Sequence, residues 1–176
     1  MRCPVLLLPL LRKWRSHGHG IHSPFAFSFA TNVLRQPHSY YAYSETDPLA
    51  TGKTDRLRAQ RLYRIVLALR PSALEFHATI SPACKKAATL AMQGFSHSTS
   101  GPLHIYNVSN TITASAFPPA LLPDHSAVVI GSGQQLRHTA EALFTPLSNG
   151  MLFAGSHMAV IIALSHLPRQ KFPIDI

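Results

Sequence analysis

"ALEFHATISPACKKAATLAMQGFSHSTSGPLHIYNV", residues 73–108, carries the alternation that decides the fold. A short apolar run at 73–77 gives way to a helix-forming stretch from about Pro82 to Gln93, and a second run, "LHIYNV", follows at 103–108. Downstream come "AVVIG" at 127–131, a helix from about Gln134 to Phe144, and "MLFAG" at 151–155. Continuous apolar runs separated by helices imply a parallel sheet, because crossover helices cover both faces of its strands. The expected class is an α/β sandwich, mostly parallel, with helices on both faces. Its end, "MAVIIALSHL" then "KFPIDI", reads as a helix or strand followed by a closing edge strand, and periodicity does not separate the two.

Upstream of this segment, "DRLRAQRLYRIVLALR" at 55–70 is the clearest helix. Leu62, Ile65, Val66 and Leu69 form its apolar face; Arg58, Arg61 and Arg64 line another, and Asp55 sits at the favourable end of the dipole. A further helix is expected over 23–36, with Ser23 as N-cap, Pro24 at the first helical position, and Phe25, Phe27, Phe29, Ala30, Val33 and Leu34 as a wide apolar stripe. Pro37 ends it. The expected organisation is a helical N-terminal extension, 1–54, and a sheet domain, 55–176, forming one compact unit.

With 176 residues, 46% of them hydrophobic and 13% charged, the chain has the means to bury a core and does not read as disordered. Cys3 and Cys84 form no metal-spacing pair and no disulfide framework, which suits a reducing cytoplasm. The apolar start, Val5 to Leu11, precedes its basic residues and is too short to cross a bilayer, so it reads as a short helix. Residues 1–70 hold eleven of the sixteen Lys and Arg and three of the seven acids. That patch is either a solvated helix face or a site that attracts the phosphates of nucleic acid, an anionic lipid surface or a nucleotide-like ligand, with Arg56, Arg58, Arg61 and Arg64 as the contacts.

Chemistry-bearing motifs are few. His17, His19 and His22 match no zinc signature and have no cysteine or carboxylate beside them, so no metal is assigned. "IGSGQQ", Ile130 to Gln135, is a strand-to-helix turn lacking the third glycine of a dinucleotide fingerprint and the lysine of a P-loop. Of the seven carboxylates, Glu75 alone falls on or just after an expected parallel strand. The remaining histidines, among them His77, His104, His125, His138, His157 and His166, are scattered over different elements.

"HGIHSPFAF" at 19–27, "YYAY" at 40–43, "RLYRIVLALRPSALEF" at 61–76 and the ending "KFPIDI" together resemble a family of small bacterial class I S-adenosylmethionine-dependent methyltransferases with an HG-hSPF motif. The resemblance implies a Rossmann-like sheet with an antiparallel C-terminal edge strand. It also implies an S-adenosylmethionine cleft made by glycines after the first strand and an acidic residue ending the second. His22 and Ser23 belong to the family's motif. The cofactor positions fall on Glu75, His77, Ser81, Asn107, Gly131, Ser132 and Gly133.

Most of those positions are substituted. His77 and Ser81 stand where the family has glycines, Asn107 where a carboxylate would accept the ribose hydroxyls, and Gly131-Ser132-Gly133 where an acidic step is expected. Gly155, Ser156 and His157 replace an acidic pair. The stretch from Val108 to Asp124 is also short for a helix plus a strand, so about one βα unit is reduced.

Three readings follow. The first is a degenerate, non-catalytic methyltransferase-like protein with an interaction or structural role and no catalytic residues. The second is an active methyltransferase with an altered site, using Glu75 and the Gly131-Ser132-Gly133 turn, with His22 near the cleft rim. The third is a basic-surface binder.

Overall fold

The structure, a computed structural model, describes residues 20–108 and 121–176. The helix expected at Val5–Leu11, Cys3, His17, His19 and most of the short stretch after Val108 lie outside the described residues. Helix α1 runs Pro24–Ser28 and continues as a π-helical turn, Phe29–Leu34. Ser23 caps it as expected, its Oγ accepting from the amide of Ala26 at 3.3 Å. A short helix α2, Tyr43–Thr46, and a 3-10 turn, Asp47–Leu49, lead into α3, Lys53–Leu69. The remainder alternates: β1 Leu74–His77, α4 Pro82–Met92, β2 Leu103–Asn107, β3 Ser126–Ile130, α5 Gly133–Phe144, β4 Met151–Ala154, β5 Met158–Ile162 and β6 Gln170–Pro173.

The six strands form one sheet in the order β1-β2-β3-β5-β4-β6. β1, β2 and β3 pair in parallel, β5 pairs antiparallel with both β3 and β4, and β6 lies parallel to β4. Five strands therefore run one way and β5 alone runs back. This settles the ambiguous ending: 158–162 is a strand and 170–173 the closing edge. It also corrects the expected antiparallel edge strand. β5 is interior, because its five buried residues, Met158 to Ile162, are covered on both faces, whereas β6 is half exposed and tolerates the rim.

Strand alternation separates two apolar layers. Leu103, Ile105, Val128, Ile130, Phe153 and Val160 join one layer with α1, α3 and α4. Tyr106, Ala127, Val129, Leu152 and Ile161 join the other with α5, through Leu136, Ala140, Leu143 and Phe144. The first layer is tight because α4 presents Ala83, Cys84, Ala87, Ala88 and Ala91 to Ala59, Leu62, Ile65 and Val66 of α3, all buried. Phe29 reaches across to Phe153 at 5.1 Å, seating α1 over β4. Phe27, expected in the same stripe, is instead 46% exposed; the buried positions are Ala26 of the α-helical part and Phe29, Ala30 and Leu34 of the π-helical turn.

The crossovers carry a topological consequence. β1 to β2 and β3 to β4 move the same way along the sheet, yet α4 lies on one face and α5 on the other. Two such connections have opposite hands, so one of them departs from the right-handed rule that parallel crossovers almost always obey. Among the described residues no helix is long and apolar enough to cross a membrane.

Candidate functional site

In open α/β sheets, ligands sit beyond the carboxyl ends of the strands, where the strand order reverses. Among the described residues β1 is an edge strand, with β2 and then β3 following in sequence order, so no reversal among them falls beside it. The loop after β1 is held down from within. Asn107, at the end of β2, donates its amide Nδ2–H to the carbonyl of Thr79 at 2.7 Å, a bond a carboxylate cannot make. Ala78 adopts φ of 96°, a left-handed conformation that penalises any Cβ. Ser81 caps α4, accepting from the amide of Cys84 at 3.2 Å, and donates to Asp55 Oδ1 at 2.7 Å. The buried Cys84 thiol beneath it is pushed up to about 11, chiefly by desolvation, and is a poor nucleophile at neutral pH.

The other strand ends are engaged likewise. A Cβ on Gly131 would lie 2.4 Å from Val108 Cγ2, and the Gly131 carbonyl accepts from Arg58 Nη2 at 2.8 Å. Ser132 precedes α5 without a side-chain cap, and Gly133 takes φ of +65°. Gly155 packs on Ile176, whose oxygen accepts from the amides of Ser156 and His157, both at 3.1 Å. His22 is exposed at the entry to α1.

The residues that do converge lie on the face of β1 and β2 opposite α3 and α4. The parallel register sets Glu75 beside His104 and His77 beside Tyr106. His77 Nε2 stands 3.0 Å from His104 Nδ1, and His104 Nε2 stands 2.9 Å from His125 Nδ1. Glu75 Oε2 lies 3.1 Å from His104 Nδ1 and 3.9 Å from His77 Nε2. The His77 ring stacks on Tyr106 at 4.4 Å with 13° between planes. Ala127, across from His104 on β3, is small enough to leave the imidazole its place. Burial holds the His104 pKa below its ordinary value, Glu75 pulls it back up, and His77 and His125 press it down again. Burial, with Glu75 adding to it, pushes the Tyr106 phenol up to about 12.

The arginines of α3 separate. Arg64 is buried: Nε donates to the carbonyl of Val33 at 2.6 Å, Nη1 to the Tyr43 hydroxyl at 2.8 Å, and Nη2 to the carbonyl of Leu34 at 3.1 Å. It satisfies carbonyls left over at the end of α1, where the helix dipole favours a cation. Arg58 is tied to Gly131. Arg61 is half-buried; burial lowers its pKa, Arg64 adds to that effect, and Asp175 opposes it. Arg56 is exposed. The four do not form one free basic face, because the helix turns two of them into the packing between α3 and its neighbours.

Sequence reasoning placed Glu75 and His77 among cofactor positions and took His104 and His125 as isolated. The structure brings all four together. The available signal was the alternation Glu75/His77 and His104/Tyr106, which puts each pair on one side of its strand. No family model, no curated protein and no solved structure matches this chain.

Proposed function

We propose that this chain is a degenerate methyltransferase-like domain that has kept a Rossmann-like sheet as a scaffold and no longer holds S-adenosylmethionine. The observation that carries the reading is the position of β1 at the sheet edge. An adenosyl group needs a crevice at an order reversal, and among the described residues no strand stands outside β1 to create one. The opposite hands of the two crossovers support the same reduction. A helix on the α4 face is what a right-handed crossover from β1 toward its outer side requires, so α4 has the placement of a larger sheet and the connection of a smaller one.

The strand ends add a second line of support. His77, Ser81, Asn107, Gly131 and Gly155 are all engaged with other parts of the chain, as ring partner, helix cap, amide clamp and close packing contacts. The retained role is that of a folded interaction or structural module. The test is isothermal titration of the full chain with S-adenosylmethionine and S-adenosylhomocysteine. No heat of binding at millimolar ligand is expected, and one-to-one binding at micromolar strength overturns the reading.

A further inference from the structure

The geometry points to a divalent transition-metal site on the face of β1 and β2, with Glu75, His77 and His104 as its three protein ligands. This goes beyond the scaffold reading and does not rest on it. Oε2 of Glu75, Nε2 of His77 and Nδ1 of His104 all lie within 4.8 Å of one another. The edges of that triangle are 3.0, 3.1 and 3.9 Å. Zinc holds imidazole nitrogen and carboxylate oxygen at roughly 2.0–2.2 Å, which sets tetrahedral neighbours roughly 3.3 Å apart. The three edges straddle that separation.

The two imidazoles meet almost edge to edge, with 24° between ring planes and 5.2 Å between centroids. Seating an ion replaces the proton they share, and it requires both rings to swing so that their nitrogens, roughly 3.3 Å apart, aim at one point off the line between them. Two imidazoles and one carboxylate suit zinc, cobalt or nickel better than magnesium or calcium, which prefer all-oxygen shells.

The surroundings support the same assignment. A metal on His104 Nδ1 puts that ring's single proton on Nε2, which then donates to His125 Nδ1 at 2.9 Å, the kind of outer hydrogen bond that orients a ligating imidazole. Stacking on Tyr106 restrains the His77 ring. The Glu75 side chain is 47% exposed and that of His77 32%, so the outer side of the triangle is open to water as a fourth ligand.

The experiment titrates zinc into the metal-free full chain against a chromophoric chelator and counts ligands by X-ray absorption. One ion per chain is expected, with two imidazoles in its shell. His77→Ala and Glu75→Gln, both at partly exposed positions, should each weaken binding by more than about 100-fold, beyond the 10–100-fold typical of losing an outer partner, while circular dichroism stays unchanged. His125→Gln should weaken it by about 10-fold. A joint His17→Ala, His19→Ala, His22→Ala variant should bind as the parent does. The proposal is overturned by absence of stoichiometric zinc binding in the parent, by a shell with fewer than two imidazoles, or by loss of binding in the triple N-terminal variant alone.

Discussion

Replacing Arg64 by methionine removes three hydrogen bonds while keeping much of the aliphatic bulk. Two of the acceptors, the Leu34 carbonyl and the Tyr43 hydroxyl, are in buried bonds, and the third, the Val33 carbonyl, is in a part-buried one. Each buried acceptor left without a donor costs about 1–3 kcal/mol, and water reaches the third more easily. The expected loss is about 3–5 kcal/mol, a large share of a stability of roughly 5–15 kcal/mol. Arg64→Lys keeps the charge but not the fork, and should lose about half as much, since one ammonium serves one or two of the acceptors. Urea unfolding followed by circular dichroism reads both, as a lower midpoint at unchanged slope. Heparin affinity measured on the still-folded fraction should not change. A loss of less than about 1 kcal/mol for Arg64→Met, or a marked drop in polyanion affinity, refutes the assignment of this arginine to the packing of α1 on α3.

Three further outcomes follow from individual sites. Ala78→Gly should stabilise the chain by about 1 kcal/mol in the same unfolding assay, because it relieves a Cβ at φ of 96°; a loss of stability would mean that the Ala78 methyl contributes packing worth more than the strain. Asn107→Asp should destabilise by about 1–2 kcal/mol at neutral pH, replacing a donor to the Thr79 carbonyl with a carboxylate that repels it, and an unchanged midpoint would remove the clamp. The His104 pKa lies below its ordinary 6.5 through burial. The unfolded chain therefore binds its proton first on acidification, so this contribution is complete above about pH 6.5 and is lost as pH falls toward the folded value. Stability measured from pH 7.5 down to pH 5 should decline, and His104→Gln should flatten the decline; an equal slope in both chains would assign the pH dependence elsewhere.

The strands and long helices were legible because each is decided locally. Apolar runs such as "AVVIG" and "MLFAG" can only be buried, and the arginine-flanked stripe of 55–70 has the helical period. What remained hidden depends on pairing between distant segments. "MAVIIA" is apolar throughout, so helix and strand look alike until β3 and β4 are seen to flank it. His77 and His104 are 27 residues apart, and His104 and His125 are 21 apart, so only the β1–β2–β3 register joins them. Arg64 read as part of a polar face because its acceptors, Val33 and Leu34, belong to another helix. That positions 77, 81 and 107 carry His, Ser and Asn was visible in the sequence; the internal bonds these side chains make were not.

The most direct measurement for the account as a whole is a nuclear magnetic resonance titration of isotopically labelled chain with S-adenosylhomocysteine, following the side-chain amide of Asn107 and the backbone amides of 76–81. These signals should stay in place at millimolar nucleoside, because the clamp between Asn107 and Thr79 does not open. Saturable shifts confined to these residues, with a midpoint in the micromolar range, would contradict it.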